Sequence, residues 1–200
     1  MLESNEALLR LKEGNKEFLA NKPKIYGAHP ITKKDFLTEQ EPFAIILGCS
    51  DSRVPVEIVF SQGIGDLFTI RVAGNIVTSS QLGSIELAAE KFGIRLIVVL
   101  GHSQCGAIKE TIESINGRHD NHSPNFQEII NTIKPGISEF VSAGESIEKI
   151  IEKSIKANIQ VSVDKLRKNS RILSGLIKRE NLKIIGAEYC LSSGKVNFLD

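Results

Sequence analysis

The chain has 200 residues, 41% of them hydrophobic, which is enough for one sizeable core, and no linker-like shift in composition divides it. Its 25 Lys and Arg against 24 Asp and Glu leave a formal net charge of +1, which excludes the basic footprint of a nucleic-acid binder or a protein held on anionic membrane. Three cysteines, no leading apolar segment and no run of bilayer length predict a reducing, cytoplasmic setting, so the thiols need a purpose other than disulfides. The expected partner is a small molecule or another copy of the chain.

Residues 4–20 space Leu8, Leu11, Phe18 and Leu19 among charges as an amphipathic helix, whose apolar face suits either the core or a partner subunit. The stretch TKKD at 32–35 reads as a capping signal for a second short helix, which Pro42 prevents from continuing. Four continuously apolar, β-branched runs then follow at 43–48, 67–72, 95–101 and 182–189, a pattern that fits strands covered on both faces. Helical patterns separate them: one ending at Gly93, one from Cys105 to Gly117, and one at 123–134 with Ser123 as N-cap and Pro124 in the first turn. From Ile137 to Asn181 the periodicity predicts two or more helices, with only a weak strand candidate at 159–163. A closing segment, KVNFL at 195–199, is expected to pair antiparallel with the strand before it. Together these elements predict an α/β fold: a mostly parallel central sheet of four to five strands, flanked by helices and preceded by an N-terminal helical arm. Residues 1–200 read as one domain, with the arm at 1–40, a chemical core at 41–117, a helical region at 118–181 and closing strands at 182–200.

In such a sheet, function gathers where strands end and helices begin. The first strand ends in ILGCSDSRVP, which delivers Cys49, Asp51 and Arg53, and the third ends in GHSQCGA, which delivers His102 and Cys105 at the entrance to a helix. Two thiolates and an imidazole suit zinc, and three protein ligands leave the fourth tetrahedral position for water, the mark of a catalytic rather than a closed structural site. A helix N-terminus also favours the thiolate of Cys105. Taken singly, each segment is equally well read as a small buried thiol or a satisfied core histidine; their arrival at one sheet edge is what favours metal. Arg53 can hold Asp51 in a bidentate pair and keep it off the metal, leaving the carboxylate to accept a hydrogen bond from the attacking water. An ordinary surface ion pair is the plainer reading of those two residues.

C-x-D-x-R after one strand, H-x-x-C after another, and RVAGN between them resemble the β-class carbonic anhydrases, closely over about residues 40–117 and in element order elsewhere. The resemblance implies zinc-dependent, reversible hydration of carbon dioxide to bicarbonate and a proton by zinc-bound hydroxide. One zinc per chain would be held by Cys49, His102 and Cys105, with Asp51 and Arg53 as the catalytic dyad. It also implies a substrate pocket containing Gln40, Phe68 and Gly106, with Leu87 and Ala73 where plant-like members carry a tyrosine and a valine. A homodimer is the implied minimum, with a dimer-based tetramer open. Another branch binds bicarbonate at a regulatory site through a tryptophan three residues before the first ligand. Ile46 stands there, and the chain has no tryptophan, although Arg71, a position used by that site, is present.

Two rivals share the zinc site: a hydrolase of carbonyl sulfide or carbon disulfide, and a catalytically silent zinc protein, for which an intact Asp51 and Arg53 would have no use. LGHSQCG also imitates a nucleophile elbow around Ser103, but Cys105 replaces its second glycine and only His119 and His122 follow. Those two histidines read as surface residues of a mobile loop, with a proton relay as the sharper alternative. Cys190 reads as a buried strand residue.

Overall fold

The computed structural model describes residues 2–21, 40–118, 122–141 and 144–199. The capping signal at 32–35 and His119 lie outside them. The five strands are β1 (Ala44–Gly48), β2 (Leu67–Arg71), β3 (Leu96–His102), β4 (Lys183–Tyr189) and β5 (Val196–Leu199). They form one sheet in the order β2-β1-β3-β4-β5, parallel throughout except for the β4–β5 pair. The helices are α1 (Ser4–Leu19), α2 (Val56–Val59), α3 (Ser79–Lys91), α4 (Gly106–Ile115), α5 (Pro124–Val141), α6 (Ile147–Asn169) and α7 (Arg171–Glu180). This is the α/β sheet that the apolar runs predict, with five strands.

Every residue of β1 and β3 is buried, because each strand turns alternate side chains into two separate cores. Ile45, Leu47, Ile97 and Val99 face α3 to α7, whereas Ile46, Val98 and Leu100 face the layer that contains α1 and α2. Helix α1 therefore packs on its own sheet. It does so through Leu11 of the expected apolar face and the smaller Ser4, Ala7, Gly14 and Asn15, all buried, while Leu19 of that face remains exposed. A Cβ at Gly14 would stand 1.8 Å from the Phe60 carbonyl oxygen, so glycine is what allows this close approach.

Two helices depart from the sequence reading. Helix α5 continues through Pro135 to Val141, because Ile130, Ile133 and Ile137 are fully buried along one face, and that packing outweighs the roughly 3 kcal/mol an interior proline costs. The β-branched stretch at 159–163 lies inside α6, where buried residues recur with helical period from Ile150 to Leu166; tertiary packing overrides the local strand preference. The short α2 and a 3-10 turn at Ala73–Asn75 were not legible at all.

Asn15 ties α1 to the opposite end of the chain. Its Nδ2 donates to the Val59 and Gly194 carbonyls at 3.1 and 3.0 Å, and its Oδ1 accepts from the Val196 N–H at 2.9 Å. Replacement by the near-isosteric leucine leaves three backbone groups without partners. Urea unfolding of Asn15→Leu is expected to show a loss of about 3 kcal/mol, since each orphaned buried group costs about 1–3 kcal/mol and part of the gap is relieved by relaxation.

Candidate metal centre

Register brings the chemistry together. Gly48 pairs with Leu100, so the parallel strands β1 and β3 end side by side and deliver Cys49 and His102 to the same edge. Cys105 follows after a tight turn and occupies the N-cap of α4. Gln104 takes a left-handed φ of 59° in that turn, which lets the chain double back so soon after the strand. The ligand atoms of Cys49, His102 and Cys105 all lie within 4.8 Å of one another, and this is the one such group among the described residues.

The donor set fits zinc. The two sulfurs are 4.0 Å apart, against about 3.8 Å for two thiolates bound at 2.3 Å with a tetrahedral angle. His102 Nδ1 lies 3.0 Å from the Ser103 carbonyl, which can only accept, so Nδ1 carries the proton and Nε2 presents its lone pair. That Nε2 is buried with no hydrogen-bond partner, an arrangement that costs free energy unless a cation completes it. The thiols point the same way. Hydrogen bonding from Cys105, with smaller help from the backbone amides around it, draws Cys49 toward thiolate despite its burial. The Cys49 hydrogen bond, burial and the repulsion of that neighbouring charge push Cys105 up, although the Ala107 and Ile108 amides at the start of α4 pull it down. As a pair the two thiols favour one charge and resist a second, and a divalent cation between them removes the resistance.

Asp51 stands at the mouth of this group. Arg53 grips it with Nε to Oδ1 at 2.9 Å and Nη2 to Oδ2 at 2.8 Å, while the Arg53 amide donates to Oδ1 at 3.0 Å. The guanidinium contact holds the Asp51 carboxyl well below the usual carboxylate range. Oδ2 lies 3.9 Å from His102 Nε2, yet Asp51 does not join the three-atom group. The carboxylate thus faces the site from beside it. Arg71 fixes the loop from behind, donating from Nε to the Cys49 carbonyl at 2.9 Å and from Nη2 to the Asp51 carbonyl at 2.6 Å. The sequence marks Arg71 only as a position used elsewhere; its place on the neighbouring strand β2, opposite Gly48, is what gives it this role.

The remaining pocket residues divide. Gly106 follows Cys105 directly, and a Cβ there would meet nothing within 4 Å, so space opens beside the thiol. Ala73 begins the short turn that follows β2, whose Val72 amide donates to the Gly48 carbonyl at 3.1 Å, one residue before Cys49. Gln40 and Phe68 are elsewhere. Gln40 is exposed before β1 and lines a cavity of about 540 Å³ with Arg10, Phe43 and Phe92, at the opposite end of the strands from Cys49. Phe68 packs against Phe92, with ring centroids 5.9 Å apart. Leu87 lies on α3 and is 56% exposed.

Three weaker sequence signals resolve differently. The Ser103 hydroxyl accepts the Leu191 amide at 2.9 Å and so pins the turn after β4, a structural duty. His122 is not a surface residue: its side chain is 13% exposed, with its ring edge-on to Phe126 at 4.5 Å and Nε2 3.9 Å from Glu110. Cys190 lies just past β4 and is half-buried rather than buried; hydrogen bonds to Ser192 and Ser193 lower its thiol to about 7.

Known proteins share this sequence and shape. The family model described as carbonic anhydrase matches residues 44–196. Carbonic anhydrase 2 of Mycobacterium tuberculosis is 34% identical over 196 residues, covering 95% of this chain and 90% of that protein. Among solved structures, the β-carbonic anhydrase CcaA superposes with a TM-score of 0.75 at 25% identity, over 97% of this chain and 92% of its own. A structure from the set of two tetrameric β-carbonic anhydrases of Sordaria macrospora gives 0.73 at 21% identity, over 98% and 97%.

Proposed function

The chain belongs to the β-class carbonic anhydrases, zinc enzymes that interconvert carbon dioxide and bicarbonate, and from that premise we propose that Asp51 and Arg53 are the catalytic pair working beside its Cys49, His102 and Cys105 metal centre. The observation that carries this is the bidentate grip of Arg53 on a carboxylate only 3.9 Å from the ligating nitrogen of His102. When bound, zinc supplies a Lewis acid that makes water a competent nucleophile at mild pH. Asp51 accepts a hydrogen bond from the attacking water, which turns the oxygen lone pair toward the carbon of the substrate. Arg53 keeps the carboxylate ionised and denies it the freedom to swing onto the metal. Gly106 and Ala73 leave room for a small linear substrate beside the thiols.

Gln40, Phe68 and Leu87 complete the pocket, in this reading, from a second copy of the chain. The place of Gln40 at the opposite end of β1 from Cys49 supports it, as do the exposed apolar side chains Ile58 and Ile64 on the segment leading into the outer edge strand β2 and Leu87 on α3. We therefore infer a homodimer as the working unit, with a dimer-based tetramer as the larger option. Residues 1–200 act as one domain around the 41–117 core. The branch is plant-like: Ile46 replaces the tryptophan of the bicarbonate-regulated form, and the Arg71 guanidinium is already engaged by the Cys49 and Asp51 carbonyls. Three free cysteines support a reducing, cytoplasmic setting, and among the described residues no helix is long and apolar enough to cross a membrane.

Stopped-flow initial rates with carbon dioxide and carbonyl sulfide, measured side by side on protein of known zinc content, test the substrate. Carbon dioxide should be turned over faster by orders of magnitude. Faster turnover of carbonyl sulfide would reassign the enzyme.

A further inference from the structure

Glycine lets α6 settle onto the sheet at one point. Gly101 of β3 and Gly186 of β4 lie beneath Ile159, and a Cβ on either would stand 2.6 Å from a carbon of that buried side chain. Earlier in the helix the contact gives way to a cavity of about 410 Å³. Ile147, Ile151 and Ile155 of α6 form its apolar wall, and Glu188 of β4 lines it from the sheet. Ile155 is buried and Ile147 exposed, so this wall runs from the core to the surface.

Glu188 is out of place on that surface. Ile184 packs into the core beneath the helices and Gly186 meets Ile159, so the two-residue period of a strand turns Glu188 to the same side. Its partner on β3 is Gly101, which puts no side chain beside it. The residue is only 9% exposed, and among the described residues its carboxylate makes no hydrogen bond or ion pair. Two cations are near, and neither serves it. Lys156 Nζ donates to Glu152 Oε1 at 2.6 Å, and Lys109, on the cavity wall, stays beyond ion-pair distance of Glu188. A buried carboxylate without a partner is costly, and burial accordingly pushes the Glu188 pKa up; the attraction of Lys156 is smaller, and the repulsion of Glu152 adds to the rise.

We propose that this cavity binds a small organic cation: an ammonium group paired with Glu188, on a short apolar body laid against Ile151 and Ile155. The charge of the walls selects the sign. Glu148 and Glu152 line the cavity with Glu188, against the single lysine, so an anion meets net repulsion. The donor set selects an organic ion over a metal. A divalent hard cation takes six or more oxygen ligands, and among the described residues the one group of three His, Cys, Asp or Glu with gathered ligand atoms is Cys49, His102 and Cys105. Isoleucines gain nothing beside a hydrated ion, whereas an alkyl chain buries apolar area against them. The cavity borders Ser103 and Gln104, the two residues between His102 and Cys105, but none of the three metal ligands lines it. The site is therefore separate from the metal centre, and its occupancy does not depend on how that centre works.

The test titrates the zinc-loaded protein with n-butylammonium, followed by ligand-detected NMR, with 1-butanol and butyrate as the neutral and anionic forms of the same chain and methylammonium as the head without it. Butylammonium should bind with a Kd on the order of 1 mM, as its size allows, and the alcohol and the acid at least about 10-fold more weakly. Methylammonium should also be weaker, because it leaves the isoleucine wall uncovered. Glu188→Gln keeps the shape and removes the charge, and it should weaken butylammonium by about 10-fold or more while leaving the hydration of carbon dioxide at the wild-type rate. Ile151→Ala removes part of the wall and should cost about 10-fold for butylammonium but little for methylammonium. Equal affinity for butylammonium and 1-butanol would overturn the proposal, as would an affinity unchanged in Glu188→Gln, or no approach to saturation by butylammonium at ten times the expected Kd. If Glu188→Gln does not fold, the ligand series and Ile151→Ala decide: preference for the charged head together with loss of affinity on shortening the wall supports the cation site, and indifference to either overturns it.

Discussion

Cys49→Ala and His102→Ala should each leave a folded protein with little zinc and no measurable hydration of carbon dioxide. The three ligand atoms lie within 4.8 Å of one another, and the sulfurs are already 4.0 Å apart, so the site is shaped before metal arrives. Removing one of three ligands loses far more than the roughly 10–100-fold in affinity that outer-partner changes cost. Stability points the opposite way. Without metal, His102 Nε2 is buried without a partner and the two thiols resist a second charge, so His102→Ala removes an unfavourable group even as it opens a small cavity. Without zinc, the melting temperature of the variant should therefore differ little from that of metal-free wild type, whereas wild type with zinc should melt well above both. Metal analysis, hydration rates and melting curves check this together. Stoichiometric zinc in both variants would sink the ligand assignment.

How far the sequence discloses the site depends on which residues are local to a strand end. Cys49, Asp51 and Arg53 are consecutive enough for a bidentate pair to be read directly, and His102 with Cys105 fall on the turn into α4. Alternating strands and helices imply a parallel sheet with all strand ends on one edge, and the order β2-β1-β3 then puts the ends of β1 and β3 side by side. Arg71 is different in kind. It acts through the register of β2 against β1, so nothing in the spacing marks it. Local propensity also misleads where packing dominates. The β-branched residues at 159–163 fill a helix because their neighbours at 155 and 166 share its buried face. The helical pattern read at 123–134 runs on through Pro135, carried by three buried isoleucines. Gln40 and Phe68 were never legible from the strand ends: their place in a pocket rests on likeness in sequence, and Gln40 lies at the opposite end of β1 from Cys49.

Arg53→Ala should retain zinc and lose catalysis by about 100- to 1000-fold, the range observed when a group that orients or stabilises the reacting atoms is removed. The size of the effect distinguishes two roles. As a surface ion pair, with Arg53 54% exposed, the contact is worth at most about 1 kcal/mol, and its loss would pass almost unnoticed in stability. As the clamp on Asp51, the same contact decides whether the carboxylate faces the water or swings toward the metal beside His102. The pH profile then excludes a simpler cause. Arg53 depresses the Asp51 pKa, so its removal lets that pKa rise toward the ordinary value of about 3.9, still far below neutrality. Asp51 therefore stays ionised in the variant across pH 6 to 9, and raising the pH cannot restore the rate. Any stability from the depressed pKa is present above about pH 4 and is lost only as pH falls toward the folded-state value, so unfolding near neutrality is not an explanation either. Arg53→Lys should recover part of the activity at most, because an ammonium cannot reproduce the two parallel hydrogen bonds from Nε and Nη2. Initial rates, zinc content and melting temperature on the same preparations check the whole argument, and turnover within a factor of about 3 of wild type would reduce the pair to a surface contact.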